Sequence, residues 1–439
     1  MTLAKYITIP VYLFAATAVA AVFLGWAYTA VISSDTKDAL GEHRERLELQ
    51  DGESRIPDVS EIDLVEDDWV RVAQVRQRVS LVNLAYVIVA NLGIVVVLLW
   101  SGYSALLDDL FRTVTRFRLV HWALYLVVMV ALLQILTLPV AFLQSYYLPH
   151  LFEVSTTTVG LWSKDFVVTL GFHLLFNVPA ILVFYGLLNR FRRTWPIWLT
   201  ALALPYFLLI GYVWPLAVAP LFNTYEPIDD AEVRERATEL TAKAGVSAAD
   251  IYSVDLSRRT LEGNAFVSGL GASKRIAIGD NLLDHYTPAE VGFVIGHELG
   301  HYAEKHILYL IAADVLRSLV VFLVLWPLLG WYVRRFGALH GVTSIRRAAI
   351  YPLVAAALLL LPFVTAPAYN AVSRYVEHRA DVYALNLTDD AEVGVASFKK
   401  LAYQGLAVPE PPAAVKFWLY SHPPISERIS FLEANKEDR

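Results

Sequence analysis

Hydrophobic residues in this 439-residue chain gather in long runs separated by polar stretches. Seven runs reach the length a helix needs to cross a bilayer, about 20 residues. They are Ile9–Ile32, Leu81–Trp100, Leu119–Leu143, Phe166–Leu188, Trp195–Pro220, Ile307–Val333 and Ala349–Tyr369. Aromatic residues stand near several ends, at Tyr146, Tyr147, Trp195, Trp198, Trp331 and Tyr332, where an interfacial belt belongs. Seven such runs are too many for the core of one soluble domain. The first is too long for the apolar part of a secretory signal and reads as a retained span.

The polar stretches divide unevenly. Ser33–Ser80 is long and acidic and reads as standing in water. Residues 222–306 have a different character. EPIDDAEVRERATELTAKAGV carries helical periodicity with charges on one face. DIYSVDL and KRIAIGD are short β-branched runs bounded by turn residues, hence strands. Between them, LEGNAFVSGLGAS is strand-like and ends in a glycine-rich turn. TPAEVGFVIGHELGHYAEKH then opens a helix, with Thr287 as N-cap, Pro288 at the first helical position and Glu290 completing a capping box. From Arg374 to Arg439 the chain is polar and mostly helical in pattern. No internal repeat or low-complexity segment is present.

Composition agrees with a membrane protein: 56% of residues are hydrophobic and 18% charged, against about 25% charged in soluble chains. The absence of cysteine removes disulfides, thiolate ligands, a cysteine nucleophile and lipidation of the chain on cysteine. A net charge of −6 argues against a nucleic-acid partner.

The chemistry centres on IGHELGHYAEKHI, residues 295–307. Positions four apart on a helix lie about 40° apart around its axis, so His297 and His301 project from one face and can share one ion. Glu298 is turned about 100° from His297. That is too far to ligate comfortably but near enough to reach a water held by the ion. This is why H-E-x-x-H suits a zinc hydrolase, with two neutral imidazoles as ligands and the carboxylate as base. A third ligand is needed. The pattern that would place a histidine at position 307 fails, since Ile307 stands there and Glu304 replaces the required glycine. SRYVEHRADVYAL (373–385) offers Glu377 as that ligand. Asp381, four residues on along the same face, would accept a hydrogen bond from a ligating imidazole. His378 is the rival ligand but points to another face. His306 reads as a capping or supporting group. His121 and His173, inside spans, are expected to be satisfied by neighbours. Asp314 and Arg317 in the sixth span are spaced to pair, as a structural ion pair or as the wall of a wet chamber.

Zinc peptidases of this type commonly take substrate as an added strand on a sheet edge. NAFVSG (264–269) is the candidate edge, led by Asn264, which can bond a peptide backbone. SHPPISERI (421–429) offers His422 or Arg428 as donor to a developing oxyanion.

The combination APLFNTYEPI, SRRTLEGNAFVSGLG, KRIAIGDNLL, VIGHELGHYAEKH, SRYVEHRAD and SHPPISERI, behind five spans and around two more, resembles the CAAX prenyl protease 1 family of integral-membrane zinc metalloproteases. The resemblance covers nearly the whole chain and is most specific from about Ala219 onward. It implies a mainly α fold, with seven transmembrane helices enclosing a chamber. A small α+β zinc-peptidase portion of gluzincin type would lie between spans five and six and in the C-terminal tail. It divides the chain into an N-terminal membrane domain, 1–206, whose five spans run through about 220, and a metallopeptidase domain, 207–439. It makes His297, His301 and Glu377 ligands of one zinc per chain and Glu298 the general base. It aligns Asn264 and Ala265 with substrate-backbone contacts, and His422 and Arg428 with groups near the reacting carbonyl. The implied partners are a lipid bilayer and a peptide or protein substrate, prenylated or membrane-associated; the implied work is CAAX-box processing or membrane-protein quality control. Asp280-Asn281 stands where the family usually has Asp-Thr. EANKEDR lacks a dilysine retrieval signal, and the composition suggests a prokaryotic plasma membrane.

Orientation evidence conflicts. The end of the bundle opposite the candidate site carries Lys5, Arg112, Arg116, Arg118, Arg190, Arg192, Arg193, Arg334, Arg335, Arg346 and Arg347, and positive charge favours the cytoplasm. The resemblance instead turns the site toward the cytoplasm, and that is the orientation expected here. Other readings of the motif are an intramembrane zinc protease, a zinc-binding channel or transporter without proteolysis, and a structural protein with a vestigial site. The charges at Glu290, Glu304 and Lys305 beside the motif disfavour the first.

Overall fold

Each of the seven apolar runs forms a helix. In the computed structural model, which describes residues 4–47, 56, 57, 59–65, 67–245 and 250–436, the spans are Tyr6–Val31, Asp68–Trp100, Arg118–Leu136, Val159–Arg190, Trp195–Phe222, His306–Phe336 and Ala348–Thr388. Lys5's side chain and parts of the acidic 33–80 connection lie outside the described residues. Of that connection, Ser34–Leu47 is a helix and the second span begins already at Asp68. Spans two to seven surround a cavity of about 820 Å³, the expected chamber; Asn91, His173, Tyr206, Ser318 and Tyr351 are among its lining residues.

The seventh span departs from the expectation. Its hydropathy ends near Tyr369, yet the helix continues unbroken through Glu377 and Asp381 to Thr388. Residues 374–388 therefore extend a membrane helix and do not open a separate polar tail. Burial explains the continuation: Ser373, Val376, Glu377, Ala380, Asp381 and Ala384 keep one face covered at helical spacing. Pro362 and Pro367 lie inside this helix. Pro367 has no N–H to give the carbonyl of Phe363. The Trp418 indole N–H takes that place at 3.0 Å, and Asn370 Nδ2 donates to Trp418 O at 2.8 Å. These bonds clamp the short helix Ala413–Leu419, and with it the 420–424 segment, against the seventh span.

Between spans five and six lies a four-stranded sheet. β1 is Tyr225–Pro227, β2 Asp250–Val254, β3 Ala265–Ser268 and β4 Arg275–Gly279, in the order β1-β2-β4-β3. β2 and β4 are parallel, and β3 pairs antiparallel to β4 at the sheet edge. β1 was not expected, because Pro227 interrupts the strand pattern. The site helix, Pro288–Ala303, follows. Its start is capped as the sequence suggests: Thr287 Oγ1 accepts from Glu290 N at 3.3 Å and Glu290 Oε2 accepts from Thr287 N at 2.8 Å. Glu290 also pairs with Lys400 at 2.7 Å.

The site helix and the sixth span are separate helices. Lys305 takes a left-handed conformation (φ 59°) and turns the chain, so His306 opens a new helix that folds back toward His301. Asp314 and Arg317 pair at 2.6 Å, with Arg317 over the Tyr369 ring, and Ser318 one turn on lines the chamber. His121 meets Asp108 at 2.8 Å, and His173 meets Asn177 at 2.5 Å.

The site helix crosses the seventh-span helix at very close range. A Cβ on Gly300 would lie 3.0 Å from Tyr383 Cβ and 3.1 Å from Ala380 Cα; one on Gly296 would lie 3.4 Å from Ala384 Cα. Small residues on both helices allow this approach. Gly300→Ala should therefore cost about 1–3 kcal/mol by overpacking. Gly171→Ala, where the added methyl meets nothing within 4 Å, should not destabilise. Thermal unfolding in detergent checks both, and equal melting temperatures would contradict the tight crossing.

Candidate metal centre

Four elements meet at the centre: the site helix, the seventh-span helix, the C-terminal helix Ile425–Ala434 and β3. His297, Glu298, Glu377, Asp381 and Arg428 are all buried. One ligand atom each from His297, His301 and Glu377 falls within 4.8 Å of the others. His297 Nε2 is 3.3 Å from Glu377 Oε2, and His301 Nε2 is 3.6 Å from Glu377 Oε1.

The surrounding hydrogen bonds determine the imidazole tautomers. Asp381 can only accept, so the 2.9 Å contact from His297 Nδ1 is an N–H donation, which leaves Nε2 as a bare lone pair. Arg428 fixes Asp381 from the other side, through Nε to Oδ2 at 2.9 Å and Nη2 to Oδ1 at 2.6 Å. A second relay stands behind His301. His306 Nε2 donates to Glu304 Oε2 at 3.2 Å, so its Nδ1 accepts from His301 Nδ1 at 3.1 Å. Arg379 in turn holds Glu304 through two contacts of 3.0 and 2.6 Å. His301 Nε2 is thereby also a lone pair, facing that of His297 at 3.1 Å. With His297 and His301 in the neutral tautomers these bonds select, two nitrogen lone pairs converge with a carboxylate oxygen, Glu377 Oε2, which is buried with no hydrogen-bond donor among the described residues. That donor set fits a divalent cation and little else.

Glu298 lies beside this cluster. Its Oε2 accepts the backbone N–H of Val267 on β3 at 2.9 Å. Burial pushes its carboxyl above the ordinary glutamate range, and Glu377 adds to this; His297, His301 and the Val267 N–H pull the other way.

β3 exposes one backbone edge here. Asn264 O accepts from Gly279 N of the β4 side at 2.8 Å. Because strand groups alternate, Ala265 and Val267 present theirs to the free edge. The Val267 N–H reaching Glu298 agrees with this. Asn264 and Ala265 thus lie at the start of an open edge that runs to the Glu298 carboxylate. Asn281, at the Asp-Asn position, donates through Nδ2 to Thr260 O at 3.2 Å and Glu262 O at 2.6 Å, pinning the loop that leads into β3.

His422 Nε2 is 3.4 Å from Glu377 Oε1, and its side chain is 59% exposed, so it faces the open side. Arg428 approaches from behind His297, with two N–H groups taken by Asp381. His378 is exposed and packs on the Phe431 ring at 4.8 Å, turned away from the cluster. Sequence reasoning did not find Val267, or Glu304 and Arg379 behind His306. The only signal for the relay was the spacing of His306 from His301, and it becomes meaningful once Lys305 turns the chain.

Comparisons with known proteins agree with this arrangement. The family model described as peptidase family M48 matches residues 227–436. The model described as CAAX prenyl protease N-terminal, five membrane helices, matches residues 55–224. The uncharacterized metalloprotease YhfN of Bacillus subtilis is 33% identical over 337 residues, covering 77% of this chain and 79% of that protein. CAAX prenyl protease 1 of Saccharomyces cerevisiae is 23% identical over 318 residues, covering 69% and 70%. The crystal structure of S. mikatae Ste24p shares the fold with a TM-score of 0.70 at 20% identity, covering 92% of this chain and 99% of that one. With a metalloprotease one-third identical across most of its length and the family model spanning every residue of the candidate centre, this chain belongs to peptidase family M48 and is an integral-membrane metalloprotease.

Proposed function

We propose that the protein is a zinc endopeptidase that cleaves a peptide laid along the free edge of β3. The observation that carries this is the convergence of His297, His301 and Glu377 donor atoms within 4.8 Å, with the Glu298 carboxylate alongside. A zinc ion, one per chain, would be held by those three residues and would supply an acidified water and a polarised carbonyl. The remaining work belongs to side chains and backbone. The Ala265 N–H and carbonyl and the Val267 carbonyl pair with the substrate main chain, and Asn264 steadies it at the strand's start. Glu298, kept in place by the Val267 N–H, takes the proton of the attacking water and returns it to the leaving amine. His422 donates to the developing oxyanion from the open side. Asp381, locked by Arg428, keeps His297 in the ligating tautomer. His306, locked by Glu304 and Arg379, does the same for His301.

The relatives named CAAX prenyl protease 1 support CAAX-box processing, or membrane-protein quality control, as the setting, and a prenylated or membrane-associated protein as substrate. We place the membrane portion at 1–206 and the peptidase portion at 207–439, in a prokaryotic plasma membrane with the centre toward the cytoplasm. A zinc channel or transporter would have no use for a base aligned by an edge strand, and family membership disfavours it.

Glu298→Gln should keep the fold and stoichiometric zinc, measured by elemental analysis of detergent-purified protein, while cleavage of a reporter peptide falls by at least about 100-fold. Chelation should abolish wild-type cleavage and zinc should restore it; full activity in Glu298→Gln or under chelator would end this reading. His306→Ala should weaken zinc binding about 10–100-fold in competition with a chromophoric chelator, and unchanged affinity would remove the relay's role. Because the chain has no cysteine, single cysteines report topology cleanly. In intact cells an impermeant maleimide should label Arg193→Cys, and should label Lys243→Cys only after permeabilisation. The reverse pattern would turn the centre outward.

A further inference from the structure

The face of the seventh-span helix turned away from Glu377 forms one wall of a second pocket, of about 460 Å³. Arg374, Tyr375, His378, Lys416, Glu427 and Phe431 are among its lining residues. It does not belong to the metal centre: His378 and Tyr375 are exposed, whereas Glu377 and Asp381 on the same helix are buried.

The pocket's charges do not cancel. Arg428, at its back, is neutralised by Asp381. Lys416 pairs with Glu427. Arg374 donates through Nη1 to the backbone carbonyls of Tyr420 at 2.7 Å and Lys416 at 3.3 Å, and no carboxylate lies within ion-pair distance of it among the described residues. One guanidinium is left over, with an imidazole at its side, in a concave site.

The apolar surroundings locate the pocket. Val364 and Val372 on the same helix are 60% and 37% exposed, Tyr375 is 65% exposed, and Phe417 beside Lys416 is 53% exposed. Large apolar side chains exposed on a membrane helix face hydrocarbon, and arginine, lysine and tyrosine cluster where that helix meets the headgroups. The anion available at that depth is a lipid phosphate. Glu427, half exposed in the same pocket, can only accept, so the headgroup that fits carries hydroxyl donors beyond its phosphate.

We propose that this pocket binds the headgroup of an anionic phospholipid of the phosphatidylglycerol type. Its phosphate sits between Arg374 and Lys416, its glycerol hydroxyls face Glu427, and its chains lie along the Val364–Val372 face.

The test is lipid retention, read by native mass spectrometry of the full-length protein released from nanodiscs of phosphatidylcholine with a minor fraction of phosphatidylglycerol. Wild type should retain phosphatidylglycerol selectively. Lys416→Gln should lower retention about fivefold, the effect of one basic residue at a membrane surface. Arg374→Gln should do the same, although it also loses its carbonyl contacts. Glu427→Gln keeps an amide oxygen that still accepts from the glycerol hydroxyls while releasing Lys416 from its carboxylate partner, and should raise retention; this guards against a loss caused only by misfolding. Equal retention of phosphatidylcholine, or unchanged phosphatidylglycerol retention in both cation variants, would overturn the proposal. So would displacement of the lipid by millimolar inorganic phosphate, which would reassign the pocket to a soluble anion.

Discussion

The close crossing of the site helix over the seventh-span helix is the contact on which the metal centre depends. Two histidines from one turn and a glutamate from another helix can share an ion only if the two backbones nearly touch. Gly296 and Gly300 remove the Cβ atoms on one side, and Ala380 and Ala384 offer the least bulk on the other. The small residues and the ligands interleave along the chain: Gly296 precedes His297, Gly300 precedes His301, and Ala380 and Ala384 each follow a carboxylate residue by three. Helix packing inside a membrane uses the same device, because lipid offers no hydrophobic drive to bring helices together.

Burial then decides which groups can do chemistry. Asp381 and Arg428 are buried opposite charges that offset each other's desolvation, and His297 donates its Nδ1 N–H to the same Asp381. Removing either charge leaves the other uncompensated. Glu298 differs. Its only hydrogen-bond partner among the described residues is a backbone N–H, and its carboxyl is raised by burial. It is the one acid in the cluster whose proton affinity is free to match a reacting water, and it is tied to the strand edge where a substrate would lie.

How much of this could be read from the sequence followed from how local each feature is. The H-E-x-x-H helix, its Thr287 cap and the shared face of Glu377 and Asp381 each lie within a few turns of one helix, and periodicity reveals them. The seven spans are legible because their apolar runs are long. The limits of the seventh were not, since its last turns are held by side-chain burial rather than hydropathy. The corner at Lys305 carries no glycine or proline to announce it, so the relay from His301 to His306, Glu304 and Arg379 stayed hidden. The bond from Trp418 to the carbonyl that Pro367 cannot satisfy joins positions 55 residues apart. That β3 is an edge strand depends on the order of the whole sheet.

The edge strand has a consequence for selectivity. On the proposed function, a peptide that adds to β3 would be held through the Ala265 main chain and the Val267 carbonyl, which every substrate sequence can satisfy equally. Such binding supplies affinity and orients the scissile carbonyl but discriminates weakly among side chains. Selection must come from elsewhere. The centre is carried on a helix continuous with the seventh span, and His422 is carried on a segment clamped to that span by Trp418, Asn370 and Arg374. A chain reaching Glu298 must therefore arrive at the end of a membrane bundle. On the proposed function, proximity to the bilayer, more than local sequence, would be the property this architecture selects.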